Sequence, residues 1–138
     1  MNAELSTSKL HDIAHLGMRA TIGVIFIVHG FGKFGNPGFG GWISSMGIPA
    51  EMQIPIALAE FVPGILLLIG VLTRISGALL SVVMLGAIFL VKGATSLTGD
   101  SGYEFDLILL AASLVIVVSG PGRISISHLI KKIPRALQ

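Results

Sequence analysis

The chain has 138 residues, enough for one ordinary domain, and 53% of them are hydrophobic whereas only 12% are charged. A soluble domain needs about 25% charged residues to cover its surface, and the mean hydropathy here is +0.91. These values exclude an ordinary water-soluble domain and indicate lipid as the solvent over most of the surface. The absence of cysteine excludes disulfides, thiolate metal sites and dithiol redox chemistry within the chain.

Four long apolar runs predict membrane-spanning helices at 16–34, 53–72, 75–91 and 103–119. A helix of that length, at about 1.5 Å per residue, matches a hydrocarbon core of about 30 Å. The fourth run is the weakest, because Glu104 and Asp106 shorten its apolar stretch. Barrel strands would alternate apolar and polar residues, and soluble bundle helices would carry a polar stripe. We therefore predict an all-α integral membrane four-helix bundle that forms a single domain over 1–138.

The connections between these runs differ in length. The stretch 35–52 has five glycines, two prolines and the only tryptophan, which predicts an irregular outer loop with Phe39 and Trp42 at the headgroup level. The inner connection between the second and third helices is reduced to Thr73 and Arg74, which predicts a tight antiparallel pair. Short surface helices are predicted at both termini, from "STSKLHDIAH" and "ISISHLIKKIPRALQ". The second of these has an apolar face formed by Ile126, Leu129, Ile130 and Ile133.

Basic residues orient the helices. When the amino terminus is placed in the cytoplasm, seven lie on the inner flanks and two outside: Lys9, Arg19, Arg74, Arg123, Lys131, Lys132 and Arg135 against Lys33 and Lys92. The positive-inside rule then predicts cytoplasmic termini, and Arg19, Arg74 and Arg123 are expected to anchor the inner interface by reaching lipid phosphates. Because the basic residues are not interleaved with aromatic ones, nucleic acid is not an expected partner.

The segment "HGFGKFG" contains the spacing G-x-G-x-x-G, with Gly30, Gly32 and Gly35 in the glycine positions. A dinucleotide site of that type needs a helix that begins at the third glycine and follows a strand. The next residues, "NPGFGG", are not expected to begin a helix, so the nucleotide interpretation is disfavoured. We expect Gly30, Gly32 and, in the second helix, Gly64 to permit close helix packing instead.

Ionisable side chains from all four runs fall in the outer third of the bundle: His29, Lys33, Glu60, Lys92, Glu104 and Asp106. Such groups are costly in lipid, so we expect them to meet in a polar pocket. Glu60 lies about as deep as His29 and is expected to pair with Lys33 or His29. Such a site can carry protons, bind a polar head such as a quinone ring, or lock two helices together, and the residues alone leave these alternatives open.

A metal site is not expected. His11 and His15 have the i, i+4 spacing of metal ligands, but Asp12 is the only acid nearby. A structural or catalytic metal needs three or four protein ligands, and no second cluster completes the set.

Several motifs in fixed order resemble the DoxX family of four-helix membrane proteins. They are "R-x9-HGFGKF" from Arg19, "LAEFVPGILLLIGVLTR" from Leu58, "GYEFDLILLAASL" from Gly102 and "GPGRISI" from Gly120. The resemblance implies a plasma-membrane protein of a bacterium or archaeon with a link to redox systems. A related DoxD-type subunit belongs to an archaeal thiosulfate:quinone oxidoreductase, and bacterial relatives are associated with membrane oxidoreductase complexes that handle thiols and oxidative stress.

The resemblance also marks particular positions. It implies importance for an "HG-x-x-K" motif, an "AE" motif and an arginine at the end of the second helix, which here are His29, Gly30, Lys33, Ala59, Glu60 and Arg74. The chain departs from the family pattern at Pro63, where a glycine is usual, at Lys92, where many members have histidine, and at Ser127, where aspartate is usual. The proline should free the carbonyl of Ala59 beside Glu60.

From the residues and the resemblance together we expect a membrane subunit of a redox complex, more than an enzyme acting alone. Its polar pocket would contact quinone or a thiol- or sulfur-derived substrate. The alternative is a non-catalytic accessory, structural or assembly subunit of a larger membrane enzyme. No cofactor is expected within the chain itself, with quinone or lipid as candidate ligands, and membrane lipids and other membrane protein subunits are the expected partners.

Overall fold

The computed structural model describes residues 9–99, 102–122, 124–130, 134 and 137–138, and these are helical with no strand among them. The elements in chain order are α1 (Lys9–Lys33), α2 (Pro37–Ser44), a 3₁₀ turn (Ala50–Met52), α3 (Gln53–Ile69), α4 (Thr73–Gly86), a π-helical turn (Ala87–Val91), α5 (Glu104–Ser119) and α6 (Ile126–Leu129). The all-helical fold predicted from the sequence is confirmed.

Helix α1 packs along α3 in the most extensive contact, α4 packs on α5, and α3 packs on α4, whereas α1 and α5 touch only sparingly. The apolar core between them is small and consists of Ile22, Phe26, Leu67, Leu80, Met84, Leu109 and Ile116. Large apolar side chains on the outer faces stay exposed, such as Val82 at 65%, Phe89 at 61% and Val118 at 79%. Faces of that kind are stable only against hydrocarbon.

Three helical segments among the described residues are long and apolar enough to cross a membrane: Lys9–Lys33, Ala50–Ile69 and Thr73–Val91. Helix α5 is apolar too, but its 16 residues make it the shortest of the four predicted spans. Its short length agrees with the prediction that Glu104 and Asp106, which lie in its first turn, shorten the apolar stretch of the fourth run.

The outer connection contains a helix that the sequence analysis did not expect. The prediction that "NPGFGG" cannot begin a helix is wrong, because Asn36 caps α2 by accepting a hydrogen bond from the Gly38 N–H at 3.1 Å, and Pro37 takes the first helical position. Both are favoured choices at a helix amino terminus. The nucleotide interpretation still fails, since the helix α1, and not a strand, precedes the glycines.

The inner connection and the two termini also differ from prediction. Helix α3 ends at Gly70, which adopts the left-handed conformation with φ 77°, so Thr73 and Arg74 form the first turn of α4 instead of the connection. From Lys9 onward the amino-terminal segment is continuous with α1, because no helix breaker separates them. The carboxy-terminal helix covers only Ile126–Leu129, and Ile130 of its predicted face follows it in an extended conformation. Ile133 lies outside the described residues.

Arg19 is the main correction to the predicted inner anchors. It does not reach lipid phosphates: its side chain is 2% exposed and donates hydrogen bonds to three backbone carbonyls. The acceptors are Leu67 O at 2.7 Å, Ile124 O at 2.9 Å and Pro121 O. The guanidinium therefore joins α1 to the end of α3 and to the segment that follows α5.

The other inner-side residues lie near that segment. The Arg74 guanidinium packs against Gly120, while the Arg74 N–H donates to Gln138 O at 3.0 Å. His15 lies 2.9 Å from the Ser119 hydroxyl. Ser127 is buried at 2% exposure, and the third predicted anchor, Arg123, lies outside the described residues.

Glycines allow α1 and α3 to approach closely, but only two of the three predicted glycines take part. A Cβ atom at Gly30 would lie 2.6 Å from Phe61 N, and one at Gly64 would lie 2.9 Å from Gly23 O. Gly23, which was not among the predicted packing glycines, belongs to the same contact, because a Cβ atom there would lie 2.8 Å from Gly64 O. Gly32 is exposed and has open space around it, so its expected packing role is wrong.

Candidate ligand-binding site

A cavity of about 340 Å³ lies at the end of the helices that the sequence predicts to be the outer one, between α3 and α4 and beneath α2. Its polar lining consists of Lys33, Glu60, Lys92 and Asp106. Its apolar lining consists of Phe39, Trp42, Ile43, Ile48, Ile56, Ala59, Val83, Gly86, Ala87, Leu90 and Val91. An apolar chamber with a few convergent polar groups is the usual form of a small-molecule site.

Helical periodicity explains which residues reach the cavity. On α3, Ile56, Ala59 and Glu60 follow at i, i+3 and i+4 and therefore share one face. On α4 and its extension, the same spacing brings Val83, Gly86, Ala87 and Leu90 to the opposite wall, where Gly86 leaves open space that a side chain would otherwise fill.

The π-helical turn Ala87–Val91 widens the end of α4 at this wall. Its signature is the bond from the Lys92 N–H to Ala87 O, five residues back, at 3.1 Å. Single π turns inside α-helices occur frequently at functional sites. Lys92 directly follows this turn and lines the cavity.

Two ion pairs among the described residues line the cavity. Lys33 of α1 pairs with Glu60 of α3, and Lys92 pairs with Asp106 of α5. Lys92 also donates to Gly102 O at 3.0 Å, and the Lys33 ammonium lies 5.5 Å from the centre of the Phe39 ring. The pairs balance charges that would otherwise be costly to bury, and they connect α1 to α3 and α4 to α5.

Glu60 retains an unused acceptor. Its side chain is 3% exposed, and Oε1 accepts from Lys33, whereas the buried Oε2 has no hydrogen-bond partner among the residues that the structure describes. Pro63 lies inside α3 and has no N–H to donate to the carbonyl of Ala59. The cavity wall therefore offers an unpaired carboxylate oxygen next to a carbonyl that lacks its helical donor.

Two of the six predicted pocket residues do not line the cavity. His29 is exposed, and its ring meets the edge of Phe105 on α5 with the centroids 6.1 Å apart. His29 is rotated about 40° from Lys33 around the α1 axis. It lies at the edge of the α1 face that packs against α3 through Gly30. Glu104 is exposed in the first turn of α5. Of the two partners expected for Glu60, Lys33 and His29, the structure pairs Lys33 with it.

Helix α2 supplies cavity residues that the sequence analysis placed elsewhere. Phe39 and Trp42 were expected only to anchor at the headgroups, but Phe39 is buried and both line the cavity together with Ile43. The amide of Gln53 holds this segment to the rest of the site by donating to Lys33 O at 3.0 Å and Asn36 O at 2.7 Å. The Asn-Pro pair before "GFGGW" was the available signal for a capped helix at this position.

Long apolar helices with lipid-facing sides and a cavity at one end define an integral membrane protein of the helical-bundle class. The DoxX family model matches residues 14–93, and this chain belongs to the DoxX family. The match includes Lys33, Glu60 and Lys92 but ends before Asp106.

Curated relatives agree with this assignment. "Putative oxidoreductase CatD" of Bacillus subtilis is 37% identical over 82% of this chain and 84% of its own length. "Inner membrane protein YqjF" of Escherichia coli is 31% identical over 90% of this chain and 97% of its own. "Uncharacterized membrane protein Rv3486" of Mycobacterium tuberculosis is 32% identical over 83% and 80%, respectively. No solved structure matches the chain.

Proposed function

We propose that this protein is the membrane subunit of a redox complex, and that its outer cavity holds the polar head of a quinone or of a thiol- or sulfur-derived molecule. The observation that carries the proposal is the combination of apolar walls with the buried Oε2 of Glu60, which has no hydrogen-bond partner among the described residues. The name of the relative CatD, which includes the word oxidoreductase, supports the redox assignment.

The cavity suits an amphipathic ligand. Its walls are mostly aliphatic and aromatic, and its charged residues lie as two neutralised pairs. A ring with polar substituents and an apolar tail could place its head beside Glu60 while its tail stays in apolar surroundings. The chain contains no cysteine, so thiol or dithiol chemistry would come from the ligand or from another subunit, as expected for one component of a complex.

A second function is favoured by the ion pairs. Because Lys33–Glu60 joins α1 to α3 and Lys92–Asp106 joins the end of α4 to α5, the polar cluster could serve only to fix helix geometry in an accessory or assembly subunit. Under this alternative the cavity has no ligand, and filling it has no consequence beyond stability.

Filling the cavity separates the two functions. In Gly86→Leu the new side chain enters open space from a backbone with φ −60° that any residue adopts, so the fold is retained while the ligand volume is lost. We expect affinity for a short-tailed benzoquinone to fall at least about tenfold. Binding is followed through Trp42, the only tryptophan of the chain and part of the lining, and is checked by calorimetry.

The matched control is Gly32→Leu, which adds the same side chain at an exposed helix position outside the cavity. It should bind the quinone as the unmodified protein does. Saturable binding that Gly86→Leu leaves intact would contradict the site, whereas a native assembly that purifies with its partners and shows no binding in any variant would favour the accessory function.

We further propose that α5 is a fourth span and that both termini are cytoplasmic, as the distribution of basic residues favours. The absence of native cysteine permits single-cysteine labelling. Ser96→Cys lies in the exposed α4–α5 connection and His128→Cys in exposed α6. A membrane-impermeant maleimide added to intact cells should label only Ser96→Cys, and His128→Cys should react after permeabilisation. Labelling of both from one side would show that α5 does not cross.

A further inference from the structure

We propose that the outer cavity selects a ligand that donates a hydrogen bond, namely a hydroquinone or another phenol-type hydroxyl, over the corresponding quinone carbonyl. This inference rests on the proposed function, because it requires that the cavity binds a ring with polar substituents. It adds the form of the ring that the site prefers and the residue responsible for that preference, Glu60.

Glu60 presents a carboxylate oxygen that has no hydrogen-bond partner among the described residues. The side chain is 3% exposed and lines the cavity, Oε1 is occupied by Lys33, and the buried Oε2 has no partner in the part of the chain that is described. A carboxylate oxygen has lone pairs and no proton, so it can only accept a hydrogen bond. Leaving such a group desolvated and unpaired is unfavourable, and a ligand that donates to it gains that energy on binding.

Each of the other charged groups of the lining lies in an ion pair. Asp106 pairs with Lys92, and Lys92 also donates to Gly102 O. Lys33 pairs with Glu60 and lies over the Phe39 ring. Asp106 Oδ2 also lacks a hydrogen bond among the described residues, but it contacts the Lys92 ammonium. The ion pair of Glu60 is made through Oε1, so its Oε2 is left to accept from a ligand that donates.

A hydroxyl meets that requirement better than a carbonyl. Its proton can be donated to Oε2, while its oxygen can accept one of the remaining protons of the Lys33 ammonium beside it. A quinone carbonyl can accept from Lys33 but presents its own lone pairs to Oε2. The apolar and aromatic walls, including Phe39 and Trp42, treat both rings alike, so the difference between the two forms comes from Glu60.

Three probes test the inference on the unmodified protein: an alkyl hydroquinone, its dimethyl ether and the matching benzoquinone, each titrated anaerobically against Trp42 fluorescence. The hydroquinone should bind about tenfold more tightly than either of the others, as expected for one hydrogen bond to a charged acceptor. Equal affinities, or tighter binding of the quinone, would overturn the inference and leave the proposed function standing. Failure of all three to bind would overturn both the inference and the quinone form of the proposed function.

Glu60→Gln reverses the polarity of the site at nearly constant volume. The amide oxygen remains with Lys33, which can only donate, so the amide NH₂ takes the position of Oε2 and offers a donor. The preference should then shift toward the quinone by at least about tenfold. Glu104→Gln, which changes an exposed carboxylate outside the cavity, should retain the original preference. An unchanged preference in a folded Glu60→Gln protein would remove Glu60 from the explanation.

Discussion

Replacement of Arg19 by methionine should lower the free energy of unfolding by about 2–4 kcal/mol, because three hydrogen bonds from one charged donor, one buried and two partly buried, are lost together. Methionine matches the apolar stem of arginine and leaves little void, so the loss reports the hydrogen bonds more than the packing. The Leu67 carbonyl is at the end of α3, where the Gly70 and Val71 N–H groups both bond to Leu66 O. Arg19 therefore satisfies an orphaned helix-end carbonyl.

The effect should be largest in the segment after α5. Pro121 and Ile124 receive the other two bonds from Arg19, so their release should raise amide hydrogen exchange from Gly120 to Ile130 before the helices α1 and α3 are affected. Thermal unfolding in detergent or nanodiscs measures the global loss. Exchange mass spectrometry locates it.

Two further variants control this result. Lys9→Met removes an exposed cation from the same helix and should be close to neutral. Arg19→Lys should recover only part of the stability, because a single ammonium cannot span three separated carbonyls in the way a planar guanidinium does. Unfolding of Arg19→Met at the temperature of the unmodified protein would show that the three Arg19 hydrogen bonds do not contribute to stability.

The helices and four of the six charged residues that were expected to meet could be predicted from the sequence, because both follow from local rules. Run length and hydropathy fix the spans, and the high cost of ionised groups in lipid brings Lys33, Glu60, Lys92 and Asp106 inward. These arguments need only the position of each residue along its own helix. They lead to a polar cluster at one end of the helices and leave the individual pairings open.

The incorrect predictions have a different cause. A single sequence does not reveal how each helix is rotated about its axis, or which distant residues accept a hydrogen bond. The carbonyls that hold Arg19 come from 48, 102 and 105 residues away, so an arginine near an interface resembles an ordinary lipid anchor. His29 and Lys33 share a face by spacing, yet the contact at Gly30 turns one inward and leaves the other exposed. The π-helical turn before Lys92 likewise depends on packing.

A single methyl group at the α1–α3 contact should have the second large effect. In Gly64→Ala the new Cβ would lie 2.9 Å from both Gly23 O and Ile27 N, and backbone atoms of an opposing helix cannot move aside independently. The helices must separate, with an expected loss of about 1–3 kcal/mol. Gly30→Ala should behave similarly, because its Cβ would lie 2.6 Å from Phe61 N. Thermal unfolding of the purified variants measures both losses.

Gly32→Ala is the matched control on α1, since open space surrounds it and alanine favours helix over glycine by up to about 1 kcal/mol. Its stability should be unchanged or slightly higher; a loss as large as that of Gly64→Ala would refute the packing explanation. The double variant Gly23→Ala/Gly64→Ala should lose less than the sum of the single losses, because the first methyl already separates the same backbones. The same separation would draw Lys33 away from Glu60, so affinity for the cavity ligand should fall with Gly64→Ala and not with Gly32→Ala.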